Sequence, residues 1–170
     1  MPPMSIAHGI RSLGVLGAGQ MGMGIAMVAA VRAKVPVLIH DRSADQVKKG
    51  FSLMEKLLEK DVAKGRLTTE QSKEARDRVS IVSTDVGIKG LRDVDMVVEA
   101  VSENLALKQS IFSSFAAELR PDAILATNTS SISITKIAAS AIPVNTSAAS
   151  EEGKNSAGRV VGMYSEPDHL

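Results

Sequence analysis

The sequence predicts an α/β fold: a doubly wound, mostly parallel sheet with helices on both faces. Three observations predict it. Short apolar runs alternate with longer segments of helical periodicity along most of the chain. The first apolar run closes on a cluster of glycines, Gly17-Ala18-Gly19-Gln20-Met21-Gly22. A later run, Met96-Val97-Val98, is continuously apolar, as suits a strand covered on both sides. With 170 residues, 44% of them hydrophobic, the chain is long enough to bury one sizeable core.

Arg11 to Leu16 reads as the first strand and the small apolar run Ile25 to Val31 as part of the helix after the glycines. Pro36 to His40 is the second strand. Ser43 to Lys64 is helical in pattern, because Val47, Phe51, Met54, Leu58 and Val62 recur at three- and four-residue steps. Gly65 ends that helix by accepting a backbone conformation other residues resist. Thr68, followed by Glu70 and Gln71, opens a short polar helix to about Arg78. Val79 to Val82 and Asp95 to Glu99 are strands. Glu103 to Leu119 is a helix with Leu107, Ile111, Phe115 and Leu119 on one stripe and Phe112 beside it. Ile124 to Thr127 is a strand after the Pro121-Asp122 turn, and Ser133 caps a helix running through Ser140. Residues 143–158 are small and polar and are expected to form a mobile loop. Arg159 to Met163 resumes as a strand. The expected organisation is a flexible N-terminus over 1–9, a ligand-binding domain over 10–142, the loop, and a last strand and tail over 159–170.

A GxGxxG pattern says little alone and more when a strand precedes it and an acid follows about 20 residues on. Here Asp41 closes the second strand, 24 positions after Gly17. Gly17 would make the tight turn, Gly19 would let a pyrophosphate approach the backbone, and Gly22 would let the helix pack close to the strand. The helix N-terminus would offer free amides to the phosphates. Asp41 would accept hydrogen bonds from the adenosine ribose and repel a 2′-phosphate, so NAD is preferred over NADP. The alternative is a plain turn with Asp41 as a solvated strand end.

A formal net charge of +1 gives no basic or acidic excess pointing to nucleic acid or an anionic membrane surface. With no cysteine, disulfides, thiolate catalysis and cysteine–metal sites are excluded, and no metal site is expected. No apolar run reaches a membrane-spanning length, and residues 1–12 carry no secretory h-region. A cytoplasmic location is expected, with mitochondrial or peroxisomal targeting left open.

Two further stretches end predicted strands, where open α/β sheets place their ligands. One runs from Val98 through Glu99, Glu103 and Asn104 to Lys108; the other is Ala126-Thr127-Asn128-Thr129-Ser130-Ser131. Glu103 and Lys108 are five apart, so a helix would point them about 140° apart, and either could face the cleft. The bland alternative makes Glu103 a first-turn acid, Lys108 a solvated lysine, and Asn128 and Ser130 turn and cap residues.

The sequence resembles the NAD-binding domain of the 3-hydroxyacyl-CoA dehydrogenases, including 3-hydroxybutyryl-CoA dehydrogenase, from Ile10 to Met163. The resemblance is carried by Val97-Val98-Glu99-Ala100, Glu103-Asn104-Leu105, Lys108 and Thr127-Asn128-Thr129-Ser130-Ser131, and by Val62 to Thr68. It implies NAD held by residues 17–22 (Gly17, Gly19, Gln20, Met21 and Gly22 among them), Asp41, Glu103 and Lys108. It also implies Asn128 and Ser130 near the nicotinamide and the substrate oxygen, and Lys64 in contact with CoA. The implied reaction interconverts 3-hydroxyacyl-CoA and 3-oxoacyl-CoA in fatty-acid metabolism. The family's base is a histidine in a Gly-(Leu/Met)-His-Phe-Phe-Asn-Pro motif; this chain has Gly162-Met163-Tyr164-Ser165-Glu166-Pro167. Tyr164 stands at the base position, and His169 is five positions too late. The expectation is a C-terminally truncated member without the helical second domain, holding 3-hydroxyacyl-CoA if substrate binding survives, as a homo-oligomer or partner domain. The alternatives are a non-catalytic NAD-binding protein and a fragment of the 6-phosphogluconate or 3-hydroxyisobutyrate type.

Overall fold

The computed structural model describes residues 9–163. Six parallel strands form one sheet in the order β3-β2-β1-β4-β5-β6: β1 Leu13–Leu16, β2 Val37–His40, β3 Val79–Ile81, β4 Met96–Glu99, β5 Ile124–Thr127 and β6 Val160–Gly162. The chain builds outward from β1 to β3, then crosses back to lay β4 on the other side of β1. That reversal is the topological switch point, which opens a crevice at the carboxyl ends of β1 and β4. The expected doubly wound parallel sheet is therefore the observed one.

Successive strand residues feed two separate cores. Val15, Val37, Ile39, Val98 and Ala126 face α1 (Gln20–Val28), α2 (Ala44–Ala63) and α3 (Thr69–Asp77). Leu16, Val97 and Leu125 face α4 (Leu105–Glu118) and α5 (Ile134–Ser140). With both faces covered, β1 is buried at all four positions and reads as an unbroken apolar run.

The helix starts follow local chemistry. Ser43 caps α2 by accepting from the Gln46 amide at 3.2 Å. Thr68 and Gln71 form a reciprocal capping box on α3. Gly65 sits at φ +69°, as the end of α2 requires. Of the five positions expected to form the apolar face of α2, Val47, Phe51, Met54 and Leu58 are buried and Val62 is half-buried.

Two expectations need correction. The polar segment over 143–158 is not wholly a loop, because Glu151–Gly158 forms helix α6. Its start is capped by Ser150, whose hydroxyl accepts from the Gly153 amide at 3.1 Å, with Glu151 and Glu152 in the first turn. Gly153 packs tightly on the Ser147 carbonyl, so the small residues that suggested mobility permit a close turn. The buried stripe of α4 is also rotated by one residue: Lys108, Phe112 and Phe115 are buried, continuing to Leu119, whereas Leu107 and Ile111 are half-buried. The expected flexible N-terminus (1–9) lies outside the described residues except for Gly9, and the tail from Tyr164 onward, with His169, lies wholly outside them.

At the amino end of the sheet a charge network ties the termini of β1, β4 and β5. The Asp95 carboxylate accepts from the amides of Arg11 and Ser12 at 2.7 and 3.1 Å and from the Arg120 guanidinium at 2.8 Å. The Arg11 amide, seconded by its guanidinium, holds the Asp95 carboxyl below its ordinary range. A lowered folded-state value means the unfolded chain binds the proton more readily, so this stabilisation is complete above about pH 4 and is lost as pH falls through the folded value. Denaturant titrations should show a midpoint that falls as the pH drops below about 4, and Asp95→Asn should flatten that fall; an unchanged slope would place its source elsewhere.

Candidate functional site

The glycine turn between β1 and α1 forms because larger residues do not fit it. Gly17 lies at φ +106°, and a side chain there would meet the Ala100 carbonyl oxygen at 2.6 Å. A Cβ on Gly22 would collide with the Gly17 carbonyl oxygen, so α1 can approach the turn only without one. Gly19 differs: its φ is −73° and nothing lies within 4 Å of the Cβ it lacks. It faces open space. The first turn of α1 has no side-chain cap and no acidic residue, leaving its leading amides available to an anion.

Asp41 bridges the turn and the end of β2. Its carboxylate accepts from the Ala18 amide at 2.9 Å and from the Ser43 amide at 2.9 Å. Those bonds use part of the acceptor capacity of a carboxylate and leave the rest toward a cavity of about 570 Å³. Gly17, Gly19, His40 and Asp41 line it on one side, and Val101, Leu107 and Ile111 on the other. Gly50 of α2, which sequence reasoning did not single out, makes this arrangement possible. A Cβ there would press on the Ala18 carbonyl oxygen at 2.6 Å, so α2 packs directly against the glycine turn.

The next strand end carries a buried ion pair. Lys108 Nζ donates to both Glu99 oxygens, at 2.7 and 2.8 Å, and both side chains are fully buried. Thr127 Oγ1 donates to Glu99 Oε2 at 2.7 Å, and the Val101 amide donates to Glu99 Oε1 at 2.6 Å. The expectation that Lys108 is either solvated or faces the cleft is corrected: its ammonium is occupied by Glu99. The physical reason is that a charge removed from water needs an opposite charge and its remaining bonds filled. The 140° argument fails too, because Glu103 lies before the helix, which is capped by Asn104. Glu103 Oε2 stands 3.8 Å from Lys108 Nζ, and Glu103 accepts from Thr129 Oγ1 at 2.8 Å. Glu99 had a readable signal, an acid inside a strand covered on both faces, but the sequence does not show its partner.

The structure thus gathers the predicted residues into two groups. Gly17, Gly19, Gln20, Met21, Gly22 and Asp41 surround the α1 N-terminus, with Gly22 buried behind the turn. Glu103, Asn128 and Ser130 meet at the ends of β4 and β5, where the Asn128 amide donates to the Glu99 carbonyl at 2.8 Å. Lys64 is exposed at the C-cap of α2 and does not line the cavity. Among the described residues no group of three metal-ligating side chains occurs.

The family model for the "3-hydroxyacyl-CoA dehydrogenase, NAD binding domain" matches residues 12–146. The chain belongs to the 3-hydroxyacyl-CoA dehydrogenase family. A 3-hydroxybutyryl-CoA dehydrogenase of Bradyrhizobium diazoefficiens is 42% identical over 130 residues, covering 76% of this chain and 43% of that protein. The fatty acid oxidation complex subunit alpha of Pseudomonas entomophila is 41% identical over 133 residues, covering 78% of this chain and 18% of that one. The crystal structure of 3-hydroxybutyryl-CoA dehydrogenase from Escherichia coli K12 superposes with a TM-score of 0.77 at 35% identity, covering 91% of this chain and 29% of that one. The chain therefore spans less than half the length of these relatives. Its cofactor is NAD, and the residues fit it: an open glycine, an uncapped helix start and a strand-end carboxylate converge on one cavity.

Two predictions come from this geometry of a 3-hydroxyacyl-CoA dehydrogenase domain. Gly19→Val fills open space, so it should cost at most about 1 kcal/mol of stability, the scale of a lost cap, while NAD affinity falls by about 100-fold or more, some 2.7 kcal/mol. Gly22→Ala should instead lower thermal stability and binding together; calorimetric titration beside thermal melts separates the two cases. For the buried pair, Lys108→Met leaves Glu99 unpaired and should destabilise by roughly 3–5 kcal/mol. Adding Glu99→Gln should recover part of that loss, and a strictly additive double-mutant cycle in urea would show that the two do not interact energetically.

Proposed function

We propose that this domain holds NAD for the interconversion of 3-hydroxyacyl-CoA and 3-oxoacyl-CoA, as in fatty-acid metabolism. The observation that supports it is the pairing of the two polar groups on neighbouring strand ends. Gly17, Gly19 and Asp41 suit the adenosine and pyrophosphate end, and Glu103, Asn128 and Ser130 suit the nicotinamide and substrate end. When bound, NAD supplies hydride acceptance. Asp41 fixes the ribose and disfavours a 2′-phosphate, and the α1 amides hold the pyrophosphate. Asn128, whose side chain makes no hydrogen bond to the described residues, orients the nicotinamide, and the exposed Ser130 contacts the substrate oxygen. Lys64 contacts CoA. Lys108, which cannot reach the cavity while paired to Glu99, acts by fixing the approach to Glu103.

The hydroxyl proton needs a base. Among the described residues the only histidine is His40, at the far, adenosine end of the cavity. Tyr164 stands where the family's histidine stands in sequence, and an unperturbed tyrosine loses its proton near pH 10. This favours a second reading, NAD binding with little turnover. The proposal places the protein off the membrane, in the cytoplasm, and among the described residues no helix is long and apolar enough to cross one. Self-association or a partner domain belongs to the same proposal.

One experiment tests both readings on the full chain: titration with NAD and NADP, then NADH formation from 3-hydroxybutyryl-CoA. NAD should bind at least about tenfold more tightly than NADP, a difference of ~1.4 kcal/mol. Turnover should lie well below about 1 s⁻¹ and rise roughly 100-fold in Tyr164→His, the low end of general-base contributions. Equal NADP binding overturns the role of Asp41. A Tyr164→His variant that binds NAD without gaining rate leaves the cofactor-holding reading alone.

A further inference from the structure

Helices α2 and α3 begin with the same sequence signature and use it differently. Ser43 and Gln46 open α2, and Thr68 and Gln71 open α3, each a hydroxyl followed three residues later by glutamine. On α3 the box closes: the Thr68 amide donates to Gln71 Oε1 at 2.9 Å, and the Gln71 amide to Thr68 Oγ1 at 3.1 Å. On α2 only half of it forms. The Gln46 amide donates to Ser43 Oγ, but the Ser43 amide donates to Asp41 Oδ1 at 2.9 Å. Asp41 takes the bond that Gln46 would accept in a closed box, and the Gln46 side chain is released from capping.

The released side chain reaches the glycine turn, 28 residues earlier in the chain. Gln46 Nε2 donates to the Ala18 carbonyl oxygen at 3.2 Å. The same oxygen lies against Gly50, one turn further along α2, where a side chain would displace it. Asp41 Oδ2 accepts from the Ala18 amide, so both backbone polar groups of Ala18 are held. The Ala18 carbonyl and the Gly19 amide belong to one peptide unit, and that unit is trans. A trans peptide points its C=O and N–H to opposite sides. Fixing the carbonyl on α2 therefore turns the Gly19 amide away from α2. That amide donates to no described residue, and Gly19 lines the cavity with open space where its Cβ would be. With the peptide reversed, a carbonyl oxygen would stand in place of the amide and repel an anion that the amide attracts.

We propose that Gln46 is a positioning residue for the pyrophosphate of the dinucleotide, acting through the Ala18–Gly19 peptide. Its side chain holds the Ala18 oxygen against α2 and so keeps the Gly19 amide turned to the phosphates. The proposal rests on the NAD reading above and names the side chain that sets the orientation of its phosphate-binding turn.

The test compares the wild-type full chain with Gln46→Met, which keeps the length of the side chain and removes its donor. ADP-ribose and adenosine separate the phosphate contacts from the rest, since adenosine carries no pyrophosphate. In calorimetric titrations Gln46→Met should weaken NAD and ADP-ribose by about tenfold, the scale of one hydrogen bond to a charged group, and adenosine by less than about twofold. Gln71→Met, which opens the closed box of α3, should lower the thermal midpoint and leave all three affinities unchanged. With inorganic pyrophosphate as the probe, the Gly19 amide resonance should shift in wild type, and Gln46→Met should need about tenfold more pyrophosphate for the same shift. Equal weakening of adenosine and ADP-ribose, or no weakening, overturns the proposal in favour of plain helix packing. A wild-type Gly19 amide that ignores pyrophosphate overturns it without any variant. Gln46→Ala, a good helix former that also lacks the donor, supplies the same comparison if Gln46→Met does not fold. A wild type that binds no NAD is the failure of the NAD reading, and the response of Gly19 to pyrophosphate still decides the role of Gln46.

Discussion

The architecture of the site depends on a fully buried ion pair between Glu99 and Lys108. Burying two charges costs several kcal/mol each, and apolar residues of the same volume often serve stability as well or better. What the pair does is positional. Glu99 ends β4 at the switch point, and its carboxylate gathers a lysine from α4, a threonine from β5 and the Val101 amide. Three elements that share no local sequence are thereby set against one another at one level of the sheet. An apolar substitute would fill the volume without fixing those directions.

That placement propagates to the glycine turn. The Ala100 amide donates to the Leu16 carbonyl at 2.8 Å, and the Ala100 carbonyl oxygen is the atom that forbids a side chain on Gly17. The loop after β4 and the turn after β1 therefore constrain each other directly. On the other side α2 presses Gly50 onto the Ala18 carbonyl, and Asp41 draws the Ala18 amide toward β2. The open face of the turn is at Gly19, and the cleft begins there.

Most of the fold is legible in the sequence because most of it is set by local pattern. Strands covered on both faces are unbroken apolar runs, and the caps of α2 and α3 are written as Ser43, Thr68 and Gln71. Asp41 is legible for the same reason, since it follows a strand at the expected distance from a glycine cluster. The misread features share the opposite property. Lys108 in the buried stripe of α4 makes sense only once Glu99, nine residues earlier, is known to lie beneath it. The segment over 143–158 reads as polar and small, yet Ser150 starts a helix whose Gly153 packs against the Ser147 carbonyl. His40 looks like any strand residue until its neighbours leave its Nδ1 unpaired.

The register of the sheet gives these details a common origin. His40, Leu16, Glu99, Thr127 and Gly162 are consecutive partners across β2, β1, β4, β5 and β6. Neighbours in register project to the same face, so this level alternates in use: an imidazole at one end, an apolar divider at Leu16, then the Glu99–Thr127 pair. Just beyond it the backbone supplies the next layer. Gly17, Ala100 and Asn128 amides donate to the carbonyls of His40, Leu16 and Glu99, and the Met163 amide donates to the Thr127 carbonyl. Each strand thus hands its following residue to the cleft through a bond to its neighbour. Met163 leaves β6 beside the end of β5, at the opposite end of that row from His40. On the proposed reading Asn128 marks the reacting end, and His40, four partners along the same row from Gly162, is too far from it to serve as a base.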